Sequence, residues 1–111
     1  MASNHLQIEV AHFVVGQEVN LTLVRNELKP LQDLVGGYLE RIVLWDGLIM
    51  LCNEDGRSLG LPVGFAIQMP NWVNVPIRGN FFICRERGGE FQSIRATDPN
   101  HFLTKIQHLK V

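Results

Sequence analysis

No apolar run in this sequence is long enough to cross a bilayer. The longest stretches, 42–45 and 48–52, are separated by Asp46-Gly47, whereas a spanning helix needs about 20 apolar residues. The first five residues lack the basic and apolar segments of a signal peptide, so the expected address is the cytoplasm. Charge of one sign is missing too. Ten Lys+Arg face eleven Asp+Glu, a formal net charge of -1, which leaves no field to gather duplex nucleic acid or an anionic membrane and too little acidity to imitate DNA. Cysteine is scarce: Cys52 and Cys84 lie in separate strand-like runs without CxxC spacing, as reduced thiols in a reducing compartment would. GxSxG, HExxH, Walker-type and GxGxxG patterns are absent, and each Gly-Gly pair has a turn to serve. Of four histidines, His5 and His12 lie near the N-terminus, while His101 and His108 fall seven residues apart on an expected helix, two turns, too far apart to grip one ion. No metal, no other cofactor and no catalytic residue is therefore expected. With no repeat, linker or low-complexity tract, residues 1–111 read as a single domain.

What is present is apolar periodicity, with 46% hydrophobic residues to fill one core. Residues 5–15 alternate as a strand with one half-buried face, Gly16-Gln17 turns the chain, and Val19, Leu21 and Leu23 continue as an antiparallel neighbour. Asn26 is placed to cap a short helix in which Pro30 falls early and Leu28, Leu31, Leu34 and Val35 form one face, ending at Gly36-Gly37. Asp46-Gly47 joins strands at 38–45 and 48–53 into a hairpin that is apolar on both faces, which predicts a central position, a covering helix or a second subunit. Residues 63–76, rich in proline, read as a loop with one helical turn at 65–69. Arg87-Gly88-Gly89 makes a second hairpin from 81–85 and 90–95. Thr97-Asp98-Pro99 opens a last helix with Phe102, Leu103, Ile106 and Leu109 as its apolar stripe. The sum is an α+β fold, a mostly antiparallel sheet of about six strands with two short helices.

The residues that carry chemistry sit in turns and loops, where a scaffold displays binding groups. Arg57, Arg78, Arg85, Arg87 and Arg95 cluster in the second half, and the guanidinium fork suits phosphate; a solvated surface is the plainer use of the same residues. Trp72 lies between Asn71 and Asn74 in a proline-bounded loop, and both it and Trp45 flank turns, where an indole can stack on a base or close a core edge. Glu54 and Asp55 are adjacent carboxylates better suited to a turn than to acid–base work. Should these segments converge at one end of the sheet, Asn53, Arg57, Asn71, Trp72, Asn74, Arg78 and Asn80 line one recess, with Glu54 orienting an arginine.

The ordered series Leu34-Val35-Gly36-Gly37-Tyr38-Leu39-Glu40, Asn53-Glu54-Asp55-Gly56, Gly60-Leu61-Pro62 and Ile77-Arg78-Gly79-Asn80-Phe81-Phe82-Ile83 resembles a family of small phage- and plasmid-borne domains of unknown function. The likeness covers residues 26–84. One departure stands out: members resembling this pattern carry asparagine shortly after the Gly-Leu-Pro step, where this chain has Gly64. The resemblance implies a phage or mobile-element origin and a cytosolic product, and it brings no catalytic residue. The resulting expectation is a non-enzymatic binding protein that inhibits a host defence pathway by sequestering a small nucleotide-derived signal. A protein-binding inhibitor acting through an apolar strand interface is the alternative, an enzyme such as a phosphodiesterase the third reading, and self-association into a homo-oligomer accompanies the first.

Overall fold

The computed structural model describes residues 6–109, so His5, the predicted first residue of the first strand, lies outside the described residues. In chain order the elements are β1 (Gln7–Phe13), β2 (Asn20–Arg25), α1 (Leu28–Val35), β3 (Leu39–Val43), β4 (Leu48–Asn53), β5 (Val63–Gln68), β6 (Asn74–Arg78), β7 (Phe81–Arg87), β8 (Glu90–Gln92), α2 (Asp98–Phe102), a 3-10 turn (Leu103–Lys105) and β9 (Ile106–His108). Strands β2-β1-β7-β4-β3, with β8 paired to β7, form a six-stranded sheet, and β6-β5-β9 form a second sheet of three. Every pairing is antiparallel. The fold is α+β.

Two-residue alternation along β4 and β7 decides what covers each face of the large sheet. Leu48, Met50 and Cys52 of β4, with Phe81 and Ile83 of β7, point to one side and meet Phe65, Ile67 and Ile77 of the small sheet and Phe102 of α2. Ile49 and Leu51, with Phe82 and Cys84, point to the other side and meet Leu31 and Val35 of α1. The result is three layers: α1, large sheet, small sheet. Phe13, Phe65 and Phe81 hold the lower two layers together, Phe13 stacking on Phe81 at 4.5 Å and Phe65 meeting both edge-on at 5.5 and 5.4 Å. Each ring is fully buried, which contributes about 1.5–3 kcal/mol per side chain in apolar transfer. The hairpin at Asp46-Gly47 forms with positive φ at both residues, 51° and 79°, as its turn type requires. Its two strands differ, however. β4 is central and covered on both faces, which meets the expectation of a central position, whereas β3 is an edge strand with Val43 exposed.

Three local expectations are corrected. Residues 63–76 are no loop: β5 and β6 form a hairpin, because Pro62 precedes β5, Pro70 falls in the turn, and Pro76 sits on an edge strand whose outer side needs no N–H. The last helix stops at Phe102, and Ile106–His108 pairs with β5, since backbone pairing to a sheet edge outweighs the weak propensity of a short helix. Only Phe102 of its predicted stripe is fully buried, Leu103 faces water, and His101 and His108 lie on different elements. Finally, Asn26 does not cap α1. Its amide donates to the Phe91 carbonyl, and Glu27 occupies the cap position without a side-chain bond. The helix end does follow the sequence, with Gly36 at φ 77° donating to the Gln32 carbonyl at 2.8 Å.

Candidate functional site

The eight residues singled out from the sequence separate into two groups. Asn74 and Arg78 are the first and last residues of β6, so about 13 Å of strand lies between them. Asn53, Glu54, Arg57, Arg78 and Asn80 gather at one end of the β5–β6 hairpin, and Asn71, Trp72 and Asn74 at its other end. They do not line one recess.

At the first end the two asparagines are occupied internally, and Arg78 is partly so. Asn53, buried, donates to the Val35 carbonyl at 3.2 Å and accepts the Asp55 N–H at 2.8 Å, tying the end of α1 to the turn after β4. Asn80 accepts the Val15 N–H at 2.9 Å, and Arg78 donates to the Leu61 carbonyl at 3.1 Å. Glycines allow the close approaches. A Cβ on Gly37 would stand 2.7 Å from the Asn53 amide, and one on Gly79, where φ is 81°, would stand 2.7 Å from Leu61. A recess of about 310 Å³ remains here, lined by Val35, Asn53, Leu61, Pro62 and Asn80 among others. Glu54 and Arg57 stay exposed beside it. The segments that carry the family resemblance meet here, each accounted for by a turn, a cap or a backbone contact.

The second end is built differently. The Asp46-Gly47 turn of β3–β4 stands between two adjoining clefts, of about 430 and 310 Å³, and Trp45 and Asp46 border both. Arg85, Arg95, Asp98 and His101 line the larger cleft, and Met69, Pro70, Trp72 and Lys105 the smaller. Trp72 is at the tip of the β5–β6 hairpin, 77% exposed and held at φ 69°. Asn71 accepts the Val73 N–H at 3.1 Å and the Trp72 N–H donates to the Met69 carbonyl at 2.8 Å, which fixes the tip. The Lys105 ammonium stands 5.4 Å from the Trp45 ring centroid and 5.9 Å from that of Trp72, within cation–π range of both, so the rings are at most about 11 Å apart. Trp45 Nε1 is buried with no hydrogen-bond partner among the described residues.

Arg85 is the fixed wall of the larger cleft. Its Nε and Nη2 donate to the two Asp98 oxygens at 2.8 Å each, and Nη1 donates to the Asp46 carbonyl at 2.7 Å. Gly47 makes room, since a Cβ there would stand 3.0 Å from Nη1. Three of the five guanidinium N–H groups are thus engaged. Burial alone would raise the Asp98 pKa, but the Arg85 bonds, the Arg95 N–H at 2.7 Å and the positive charges of both arginines bring it below its ordinary value. The Arg85 pKa is raised by the same pairing. Among the described residues, the Arg95 and Lys105 side chains make no salt bridge.

Of the predicted site residues, only Trp72 belongs to this pair of clefts. Arg85 and Arg95 are visible in the sequence as members of the arginine cluster and Trp45 as a tryptophan beside a turn. Lys105 and Asp98 carry no local signal for this role, because the turn from helix to β9 brings Lys105 here. The thiols stand apart from the clefts. Cys52 and Cys84 are on opposite faces of the large sheet, each with its pKa pushed up to about 12, chiefly by burial. Among the described residues no three His, Cys, Asp or Glu side chains gather to hold a metal ion, and no helix is long and apolar enough to cross a membrane.

Fold and clefts together define a three-layer α+β domain with an aromatic and cationic cleft at one end. The chain belongs to the family described as a domain of unknown function, DUF3846, whose sequence profile matches residues 8–107. That match extends past the resemblance at 26–84 to take in β1, β2 and the segment that ends in β9. No curated protein and no solved structure matches the chain.

Proposed function

We propose that this protein binds a small nucleotide-type ligand in the paired clefts without turning it over, and that by sequestering such a signal it inhibits a host defence pathway. In this reading it is a phage or mobile-element product acting in the host cytoplasm. The observation that carries the ligand class is the Trp45–Lys105–Trp72 arrangement beside Arg95. Two indole faces offer a stacking wall for a planar base, and base–aromatic stacking is worth about 1–3 kcal/mol per base. Lys105 occupies that wall in the free protein. A base entering there displaces its ammonium toward the ligand's phosphate, where Arg95 and the two unengaged N–H groups of Arg85 supply charge-assisted bonds. Binding without chemistry is supported by Asp98. Both of its oxygens are already engaged and its pKa is depressed, so the buried carboxylate of the cleft is a poor proton acceptor.

Both tryptophans of the chain border the clefts, so intrinsic fluorescence reports on this site directly. Titration with mono-, di- and cyclic nucleotides should quench emission and give a matching calorimetric isotherm, and heating the complex should return the nucleotide chemically unchanged. Arg95→Ala should weaken binding by about 1.5–3 kcal/mol, roughly ten- to a hundredfold, with melting temperature unchanged. Neither quenching nor heat with any nucleotide would remove the reading, and recovery of a hydrolysed product would replace sequestration with catalysis.

A further inference from the structure

We propose that this protein forms a two-fold homodimer by pairing the free edge of β2 with the same edge of a second copy, independently of what the clefts bind. Natural sheets blunt their open edges with charge, proline, bulges or short strands. Among the described residues, four of the five strands with a single neighbour follow that rule fully. β3 carries Glu40 and Arg41, β6 carries Pro76, and β8 and β9 are three residues long, β8 with Glu90. β2 keeps one such device, the charge of Arg25 at its last position. Among the described residues it has a neighbour only in β1, its register with β1 runs without a break from Asn20 to Arg25, and Asn20–Val24 contains neither charge nor proline. It also displays leucine. Leu21 and Leu23 point to the same face, 54% and 64% exposed.

The occupant is argued from the sequence of the strand itself. Antiparallel pairing about a two-fold axis normal to the sheet places residues of one face opposite residues of that same face. Centred on Thr22, it sets Leu21 of each copy against Leu23 of the other and Thr22 against Thr22. Arg25 then lies opposite Val19, so no like charges meet. Moving the centre to Leu23 would set Leu21 against Arg25, so the Thr22 register is the one that pairs both leucines. The large sheets of the two copies become one continuous sheet. Since β2 and β3 are opposite edges of that sheet, both cleft pairs, which flank the β3–β4 turn, stay open.

Sedimentation and light scattering at tens of micromolar should give twice the 12.6 kDa chain mass. Leu21→Lys with Leu23→Lys should give 12.6 kDa with an unchanged circular dichroism spectrum, since neither side chain belongs to the core. Thr22→Cys should be trapped by mild oxidation as a disulfide-linked dimer, because directly opposed residues stand about 4.5–5.5 Å apart, within disulfide reach. The native thiols are buried and should not compete. A wild type that sediments as a monomer overturns the proposal, including the case in which a different protein occupies this edge. So does a leucine double variant that stays dimeric, or a Thr22→Cys chain that resists cross-linking.

Discussion

The two ends of the β5–β6 hairpin use similar residues for opposite purposes. At the Asn53 end, both asparagines and one donor of Arg78 bond within the chain, to Val35, Asp55, Val15 and Leu61, while Arg57 is exposed and makes no side-chain bond among the described residues. At the Trp72 end, the Trp72 ring is open to water, Trp45 is partly buried against the core, and a lysine rests between them, with Arg95 free of any ion pair among the described residues. A polar residue in a turn is therefore ambiguous until its partners are known. Bonds already made within the chain mark architecture, and donors left over beside an aromatic face mark a surface able to receive a ligand.

The largest test of that contrast is the buried Arg85–Asp98 ion pair, which belongs to the cleft yet works as architecture. Asp98→Ala should lower unfolding free energy by about 3 kcal/mol in urea titrations, the low end for a buried pair because Arg85 keeps some contact with water. The pH dependence has a definite sign. The folded pKa of Asp98 lies below the ordinary 3.8, so its contribution is complete above the unfolded value and is lost as pH falls through the folded one. Wild type should therefore lose stability in acid below about pH 4, and Asp98→Ala should lose less of it there. Equal acid sensitivity in the two proteins would show that the pair contributes little.

Asn53→Ala tests the other end and should cost about 1–3 kcal/mol, since the Val35 carbonyl and the Asp55 N–H lose their partner together. Nucleotide affinity measured well below the melting temperature should be unaffected. A selective loss of affinity with stability retained would move the ligand site to the Asn53 recess. Gly64→Asn should cost about 1–3 kcal/mol, because a Cβ there stands 2.9 Å from a Val15 methyl. Val15→Ala in the same chain should return part of it, and thermal melts of the two variants would show whether it does.

How far this was readable beforehand follows the range of the interactions involved. Asp46-Gly47, Gly88-Gly89 and Gly36 act within a few residues, and all three take the positive φ that the sequence predicts for them. The order of strands in the large sheet, the strand identity of 63–68 and 74–78, and the conversion of the last helix into β9 depend on partners tens of residues away. Proline misled at 63–76 because an edge strand tolerates it. The same distance rule divides the site. Trp72 stands out locally as an aromatic residue in a proline-bounded turn. Lys105 reaches it only because β9 pairs with β5, and the Arg85–Asp98 pair links a strand to a helix start thirteen residues on. Arg57 and Arg78 share the type and setting of Arg95, and only the fold separates them.

The smallest expected effect gives the sharpest reading of the Trp72 end. A left-handed backbone costs an L-residue with a Cβ about 1–2 kcal/mol, and glycine is free of that cost but loses about 0.5–1 kcal/mol more chain entropy on folding. Trp72→Gly and Trp72→Ala both delete the ring and its contact with Lys105, so those losses cancel between them. Trp72→Gly should then be the more stable of the two by about 0.5–1 kcal/mol, the reverse of the order found within helices and strands. Both should lose affinity and part of the nucleotide quenching to the same degree, because neither offers a stacking face at position 72 while Trp45 remains. Chemical denaturation of the pair checks the first statement and calorimetry the second. An alanine variant as stable as the glycine one would mean that the hairpin tip relaxes once the indole is gone, while unchanged affinity in both would take the Trp72 ring out of the site. The expected combination, binding lost alike while stability follows φ, describes a residue whose backbone strain is sustained by its turn and whose side chain serves the ligand.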